Sequence, residues 1–160
     1  MEEQLVRIDI GAGSALEDGW SSWDIKDGRD CRDLSALADE SVDEIRASHV
    51  LEHISYFQTE VALVEWNRIL KVDGRLFVAV PDFAKIVYAM LTGLEFEELE
   101  RYLMGGHTND HDVHMAIFTA GKLTKLLNAS GFDRVKVVGA EGETASRIWV
   151  SLNLEAYRAA

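Results

Sequence analysis

The sequence is poor in the residues that staple, break or charge a chain positively. It has one cysteine, Cys31, among 160 residues, which excludes an internal disulfide framework and fits a reducing compartment. It has one proline, Pro81, and 12 glycines, too few for a collagenous or Pro/Gly-rich disordered chain. No segment reaches the ~18 consecutive apolar residues of a membrane helix. Positive charge is scarce. Lys plus Arg number 16 against 28 Asp plus Glu, a formal net charge of −12. That balance disfavours nucleic acid, whose phosphates need a basic face, and an anionic membrane surface. Met1-Glu2-Glu3-Gln4 is acidic where a secretory signal would be basic. The expectation is a soluble, cytoplasmic protein. What is present is globular: 48% hydrophobic and 28% charged, with a length suited to one domain.

Strand and helix patterns alternate. Leu5–Ile10 reads as a strand ending at Gly11, followed by strands over Trp20–Ile25 and Ser41–Ala47. Arg75–Val80 is the clearest strand, a continuous apolar run suited to burial on both faces, closed by Pro81. Ile54, Phe57, Val61 and Val64 recur at helical spacing and predict the buried face of a helix running to Lys71, with a turn at Val72-Asp73-Gly74. Phe83–Leu103 reads as helix broken at Thr92-Gly93, with Glu95, Glu97, Glu98 and Glu100 as a solvated face. Thr119 is the expected N-cap of a short helix carrying Leu123, Leu126 and Leu127, and Gly131 the expected residue beyond its C-cap. Strands over Val135–Val138 and Ile148–Leu152 close the chain, about nine residues apart across a polar loop. So short a connection predicts an antiparallel pairing rather than a crossover. The whole is an α/β chain with a mostly parallel twisted sheet and one antiparallel C-terminal strand.

The first strand delivers Asp9-Ile10-Gly11-Ala12-Gly13 to its carboxyl end, where open α/β sheets bind ligands and glycines let the backbone approach them. Asp24-Ile25 ends the second strand, and Ser48-His49-Val50-Leu51-Glu52-His53 follows the third. A dinucleotide fingerprint fits poorly, because Leu16 stands where its third glycine belongs and Asp24 comes too early. With Arg68-Ile69-Leu70-Lys71-Val72-Asp73-Gly74, Val80-Pro81-Asp82, Phe118-Thr119 and Ala129-Ser130-Gly131-Phe132, the chain resembles a class I S-adenosylmethionine-dependent methyltransferase. It looks most like the small members with "HVLEH", "RVLKPGG" and "VPD" motifs. The resemblance covers about Ile8 to Phe132. It implies a Rossmann-like methyltransferase fold, one domain over 1–160, and S-adenosyl-L-methionine as cofactor. By the same resemblance, Asp9, Gly11, Ala12 and Gly13 face the methionine part. Asp24 and Ile25 take the ribose, Asp33 and Leu34 lie near the adenine, and Ser48 and His49 flank the methyl group. Only about nine residues separate Ile10 from Trp20, so the family's first helix must be reduced to one turn or lost.

Gly105–His114 carries His107, His111 and His114. A metal site built from these three with Asp110 or Asp112 is one reading. A polar loop is another, and an acceptor-binding loop over the strand ends, with His111 or His114 as base, is the one adopted, with no metal. His49 and Asp82 complete the expected catalytic set, Asp82 doubling as a helix cap. His53 reads as a capping or packing residue. Trp20, Trp23, Trp66 and Trp149 read as core residues, with Trp20 or Trp23 as an alternative adenine neighbour. Residues 83–114 are expected to form a lid that selects a small hydroxylated acceptor, a sugar or glycan precursor by the resemblance. A homodimer is allowed. The rival readings are a non-catalytic binding module on the same fold and a metal-dependent hydrolase using His107, His111 and His114.

Overall fold

A computed structural model describes residues 5–14, 16–93, 96–139 and 149–160, and of 96–98 the backbone alone. Its strands are β1 (Arg7–Ile10), β2 (Ser21–Trp23), β3 (Val42–Ser48), β4 (Leu70–Pro81), β5 (Phe132–Val138) and β6 (Ser151–Arg158). Its helices are α1 (Thr59–Ile69), α2 (Phe83–Leu91), α3 (Phe96–Met104) and α4 (Ala120–Ala129). All six strands share one sheet in the order β2-β1-β3-β4-β6-β5. β1 pairs in parallel with β2 and β3, and β3 with β4. β6 alone runs against its neighbours, β4 and β5. The expected mostly parallel sheet with one reversed C-terminal strand is therefore the fold.

The apolar run Leu76–Val80 sits at the sheet centre, each residue at most 2% exposed, because both faces are covered. α1 and α4 pack side by side, burying Leu63, Trp66, Leu123 and Leu127 against Ile8, Ile45 and Val78. A second, smaller cluster joins Ile86, Ala89 and Leu99 of the α2–α3 pair to Val150.

Three expectations need correction. α1 does not bury Phe57, Val61 and Val64. Phe57 is 76% exposed and the two valines about half, while Thr59, Ala62, Leu63, Trp66 and Ile69 face inward. Both stripes have helical spacing. The inner one holds Trp66, whose large ring gains most from burial and whose Nε1 donates to the Cys31 carbonyl at 2.8 Å. Second, the expected turn at Val72-Asp73-Gly74 lies inside the single long strand β4. Val42 pairs with Leu70 but Glu44 with Arg75, so the extra residues bulge out, with Asp73 at φ +62°. Third, β6 continues to Arg158, far past the expected end at Leu152. Within this extension Glu155 is tied to Arg75 and Lys136 on the neighbouring strands. The expected start of that strand at Ile148, the polar loop before it, Met1–Gln4, Glu95 and the side chains of Glu97 and Glu98 lie outside the described residues. Of the tryptophans, Trp23 and Trp66 are buried, whereas Trp149 is half exposed against Tyr102.

Thr119 caps α4 as expected, its side chain accepting from the Lys122 amide at 3.3 Å, and Gly131 follows the helix at φ +91°. Thr119→Ala is expected to cost about 1 kcal/mol of stability, read as a lower urea midpoint with unchanged slope.

Candidate functional site

β1 has β2 on one side and β3 on the other, so the chain's direction of travel reverses there. Crevices open at such a point, off the carboxyl ends of the strands. A cleft of about 290 Å³ lies here, reached by Gly11, Trp23, Asp24, Ile25, His49 and His111. The β1–β2 connection contains no helix among its described residues, in line with the reduced first helix.

The glycine turn is shaped by backbone demands. Gly11 sits at φ +69°, and a Cβ there would lie 2.4 Å from Val50 Cγ2, so no other residue fits without displacement. Its amide donates to the Trp23 carbonyl at 2.9 Å. Gly13, at φ +59°, has open space where a side chain would stand, and its amide donates to Asp24 Oδ2 at 2.8 Å. The Lys26 amide donates to the other oxygen, Oδ1, at 2.9 Å. Burial by itself would raise the Asp24 pKa, but the two amides outweigh it and hold the carboxyl below its ordinary range. Each oxygen keeps a lone pair. Asp24 thus presents a fixed, ionised, twofold acceptor at the mouth of a glycine turn. A vicinal diol matches that arrangement. The donor set and the open space at Gly13 fit an adenosine-bearing cofactor, and the volume stands near the lower end of the ~300–1,000 Å³ of ligand pockets.

Other expected site residues lie elsewhere. Asp9 is 4% exposed and pairs with Arg46 Nη2 at 2.5 Å. Arg46 also reaches Glu17 at 2.7 Å and lies over the Trp20 ring, 4.8 Å from its centroid. Asp9 therefore faces the neighbouring strand and not the cleft, and Ala12, Gly13 and Ser48 do not line it either. Leu34 is fully buried in the core, and Asp33 lies in a separate depression beside β2, binding the Ser35 amide at 3.0 Å. The residues of this segment that do reach the cleft are Arg29, Asp30, Cys31 and Arg32, slightly earlier in the chain. Burial, with the Asp30 charge beside it, pushes the Cys31 thiol up to about 11, so it is no nucleophile at neutral pH.

His49 occupies the left-handed region at φ +57°. Its Nδ1 lies 3.0 Å from Glu52 Oε1 and its Nε2 2.8 Å from Ser151 Oγ. An ionised carboxylate only accepts, so Nδ1 carries the proton and Nε2 accepts from the hydroxyl. His49 and His111 share the cleft, but His114 stands behind it, edge-on to His53 with ring centroids 4.7 Å apart. Its Nδ1 meets the Tyr102 carbonyl at 3.0 Å, and burial lowers its pKa. Asp82 caps α2 through the Ala84 amide at 3.0 Å and does not line the cleft. The loop 105–114 is held by Asp112, which accepts from the Thr108 hydroxyl at 2.6 Å and from the Thr108 and Gly106 amides. These bonds bring its carboxyl down to about 2. His107 and His111 join no group of three metal-ligating side chains among the described residues. The cleft wall also holds Met115, which sequence reasoning missed, and His53 and Asp110, which it weighed only as a capping or packing residue and a metal ligand. The acidic Asp110 beside His111 was the one local signal.

Residues 23–78 match the methyltransferase-domain family. No curated protein matches the chain in sequence. Among solved structures, a S-adenosylmethionine-dependent methyltransferase from Methanosarcina mazei superposes with a TM-score of 0.64 at 16% identity, covering 99% of this chain and 94% of its own. One from Archaeoglobus fulgidus gives 0.63 at 17% identity, covering 96% and 86%. A chain from the complex of a Haloferax volcanii methyltransferase activator with a methyltransferase gives 0.64 at 14%, covering 100% and 85%. At such identities the likeness is one of fold. The family match covers residues 23–78 and the superpositions extend over nearly the whole chain, so the fold is that of the S-adenosylmethionine-dependent methyltransferases it resembles.

Proposed function

We propose that the protein transfers a methyl group from S-adenosylmethionine to a small hydroxylated acceptor, a sugar or glycan precursor being the candidate class. The observation that carries this reading is the Asp24 carboxylate, fixed by the Gly13 and Lys26 amides at the mouth of the cleft. Asp24 would hold the ribose diol, with Gly11 and Gly13 letting the backbone come close. Trp23 and the Arg29–Arg32 segment would wall the adenine side. The bound cofactor supplies an electrophilic methyl group on a sulfonium. The negative charge of Asp24 and Asp30 beside the cleft favours that cation.

The chain's remaining task is to hold an acceptor oxygen in line with the methyl carbon and to receive its proton. His111, on the cleft wall within the 105–114 loop, is the proposed base. His49 is the positioning residue, both its ring nitrogens being engaged by Glu52 and Ser151. Asp82 and His114, set away from the cleft, act through structure. Residues 83–114 are the proposed acceptor-selecting lid. Its end brings Asp110 and His111 to the cleft while α2 and α3 pack on their own cluster.

The test is calorimetric titration of S-adenosylmethionine and its demethylated product into the purified protein. One site per chain at micromolar Kd, about −8 kcal/mol, is expected. Absence of binding by folded protein would overturn the enzyme reading in favour of a non-catalytic module.

A further inference from the structure

Among the described residues, the most heavily buried acid lies beside the cleft and is only half satisfied. Glu52 is 1% exposed. Oε1 accepts from His49, but Oε2 is buried with no hydrogen-bond partner. No lysine or arginine pairs with Glu52 among the described ion pairs. Its second oxygen is therefore buried without a donor, and burying a polar group without a partner is costly.

Two imidazoles stand next to it. Glu52, His53 and His114 each offer a ligand atom within 4.8 Å of the other two. His53 Nδ1 lies 3.2 Å from the Val113 carbonyl and His114 Nδ1 3.0 Å from the Tyr102 carbonyl. A carbonyl only accepts, so both Nδ1 atoms carry protons and each neutral ring keeps its lone pair on Nε2. A backbone carbonyl binding the far nitrogen is the usual device that orients a metal-ligating histidine. The two segments are also stitched together. The Met115 and Ala116 amides donate to the Glu52 carbonyl at 2.7 and 3.1 Å, which fixes His114 against the turn carrying Glu52 and His53. Doubly protonated rings would put two cations 4.7 Å apart.

We propose that Glu52, His53 and His114 bind one divalent transition-metal ion, zinc by the chemistry of the ligands, with an open coordination position on the cleft side. Two imidazole nitrogens and one carboxylate are a three-ligand set that leaves zinc a fourth position for an oxygen ligand. Tetrahedral zinc ~2.1 Å from each ligand needs ligand atoms about 3.4 Å apart. A contraction of roughly an ångström by side-chain rotation closes the set. The direction of the open position follows from His53, which lines the cleft, while His114 lies on the side of Pro81 and Tyr102. The site is distinct from the histidine loop: of His107, His111 and His114, only His114 takes part. It also stands independently of methyl transfer.

The deciding experiment is titration of zinc chloride into protein stripped with EDTA and dialysed, read by calorimetry in a non-chelating buffer without S-adenosylmethionine. One ion per chain at micromolar Kd or tighter is expected. Glu52→Gln, which keeps shape and volume but removes the charge, and His114→Ala should each weaken binding at least about 100-fold. His107→Ala should leave it unchanged. No zinc bound by folded wild-type protein overturns the proposal, and so does binding that survives Glu52→Gln. If His114→Ala fails to fold, Glu52→Gln and His53→Asn decide.

Discussion

Arg46→Met is expected to lower the stability of the fold by about 3–5 kcal/mol. Asp9 and Arg46 are register partners on β1 and β3, 4% and 6% exposed. Their contact at 2.5 Å neutralises two charges inside the sheet face. Removing the guanidinium strands the Asp9 carboxylate without a cation in a region from which water is excluded, and that desolvation is the source of the loss. Asp9→Asn added to Arg46→Met should recover a large part of it, because a neutral amide is far cheaper to bury. The contact to Glu17 is different in kind. Glu17 is 54% exposed, so Glu17→Gln should cost under about 1 kcal/mol. Urea unfolding of the wild type, Asp9→Asn, Arg46→Met and the double variant closes the cycle, with Glu17→Gln as the exposed-pair comparison. An Arg46→Met loss no larger than that of Glu17→Gln would show that the pair contributes little, and Asp9 would then be available to a ligand.

Asp24→Ala is expected to weaken S-adenosylmethionine binding at least about 100-fold, equivalent to about 2.7 kcal/mol. Two charge-assisted hydrogen bonds to a diol, each worth about 1.5–3 kcal/mol, would vanish with the carboxylate. So would the ties from the Gly13 and Lys26 amides that shape the glycine turn. Asp24→Asn separates the two losses. It keeps the shape, but its NH2 must face one of two backbone donors, so one tie becomes a repulsion. An intermediate loss is expected from it. Circular dichroism of each variant controls for folding. Binding that is indifferent to Asp24→Ala would place the cofactor elsewhere in the fold.

The elements legible in the sequence are those that announce themselves locally. Gly11 and Gly13 mark a turn whose backbone demands positive φ. Thr119 marks a helix start and Gly131 its end, because capping chemistry spans three or four residues. The short connection before β6 forecast its reversed direction, because so few residues cannot cross a sheet. Where the reading slipped, two local patterns were equally good. Phe57-Val61-Val64 and Ala62-Leu63-Trp66-Ile69 both repeat like a helix, and only the fit of Trp66 beneath the Cys31 carbonyl selects between them. Asp33 and Leu34 stand outside the cleft while Arg29–Arg32 line it, because a displacement of two or three residues in a loop changes which side chains reach it.

The amino-acid sequence by itself determined the α/β alternation, the parallel sheet with its reversed last strand, and the position of the glycine turn beside Asp24, since periodicity and turn chemistry act over short stretches. Only the tertiary structure decided the partners. Asp9 reads as a site acid until Arg46, 37 residues on, is brought opposite it. Glu52 and His53 read as ordinary turn residues until the 113–116 segment is bonded to the Glu52 carbonyl and sets His114 beside them. Electrostatic pairing and ligand geometry depend on distance in space, and that distance is fixed by the packing of the whole sheet and its helices rather than by spacing along the chain.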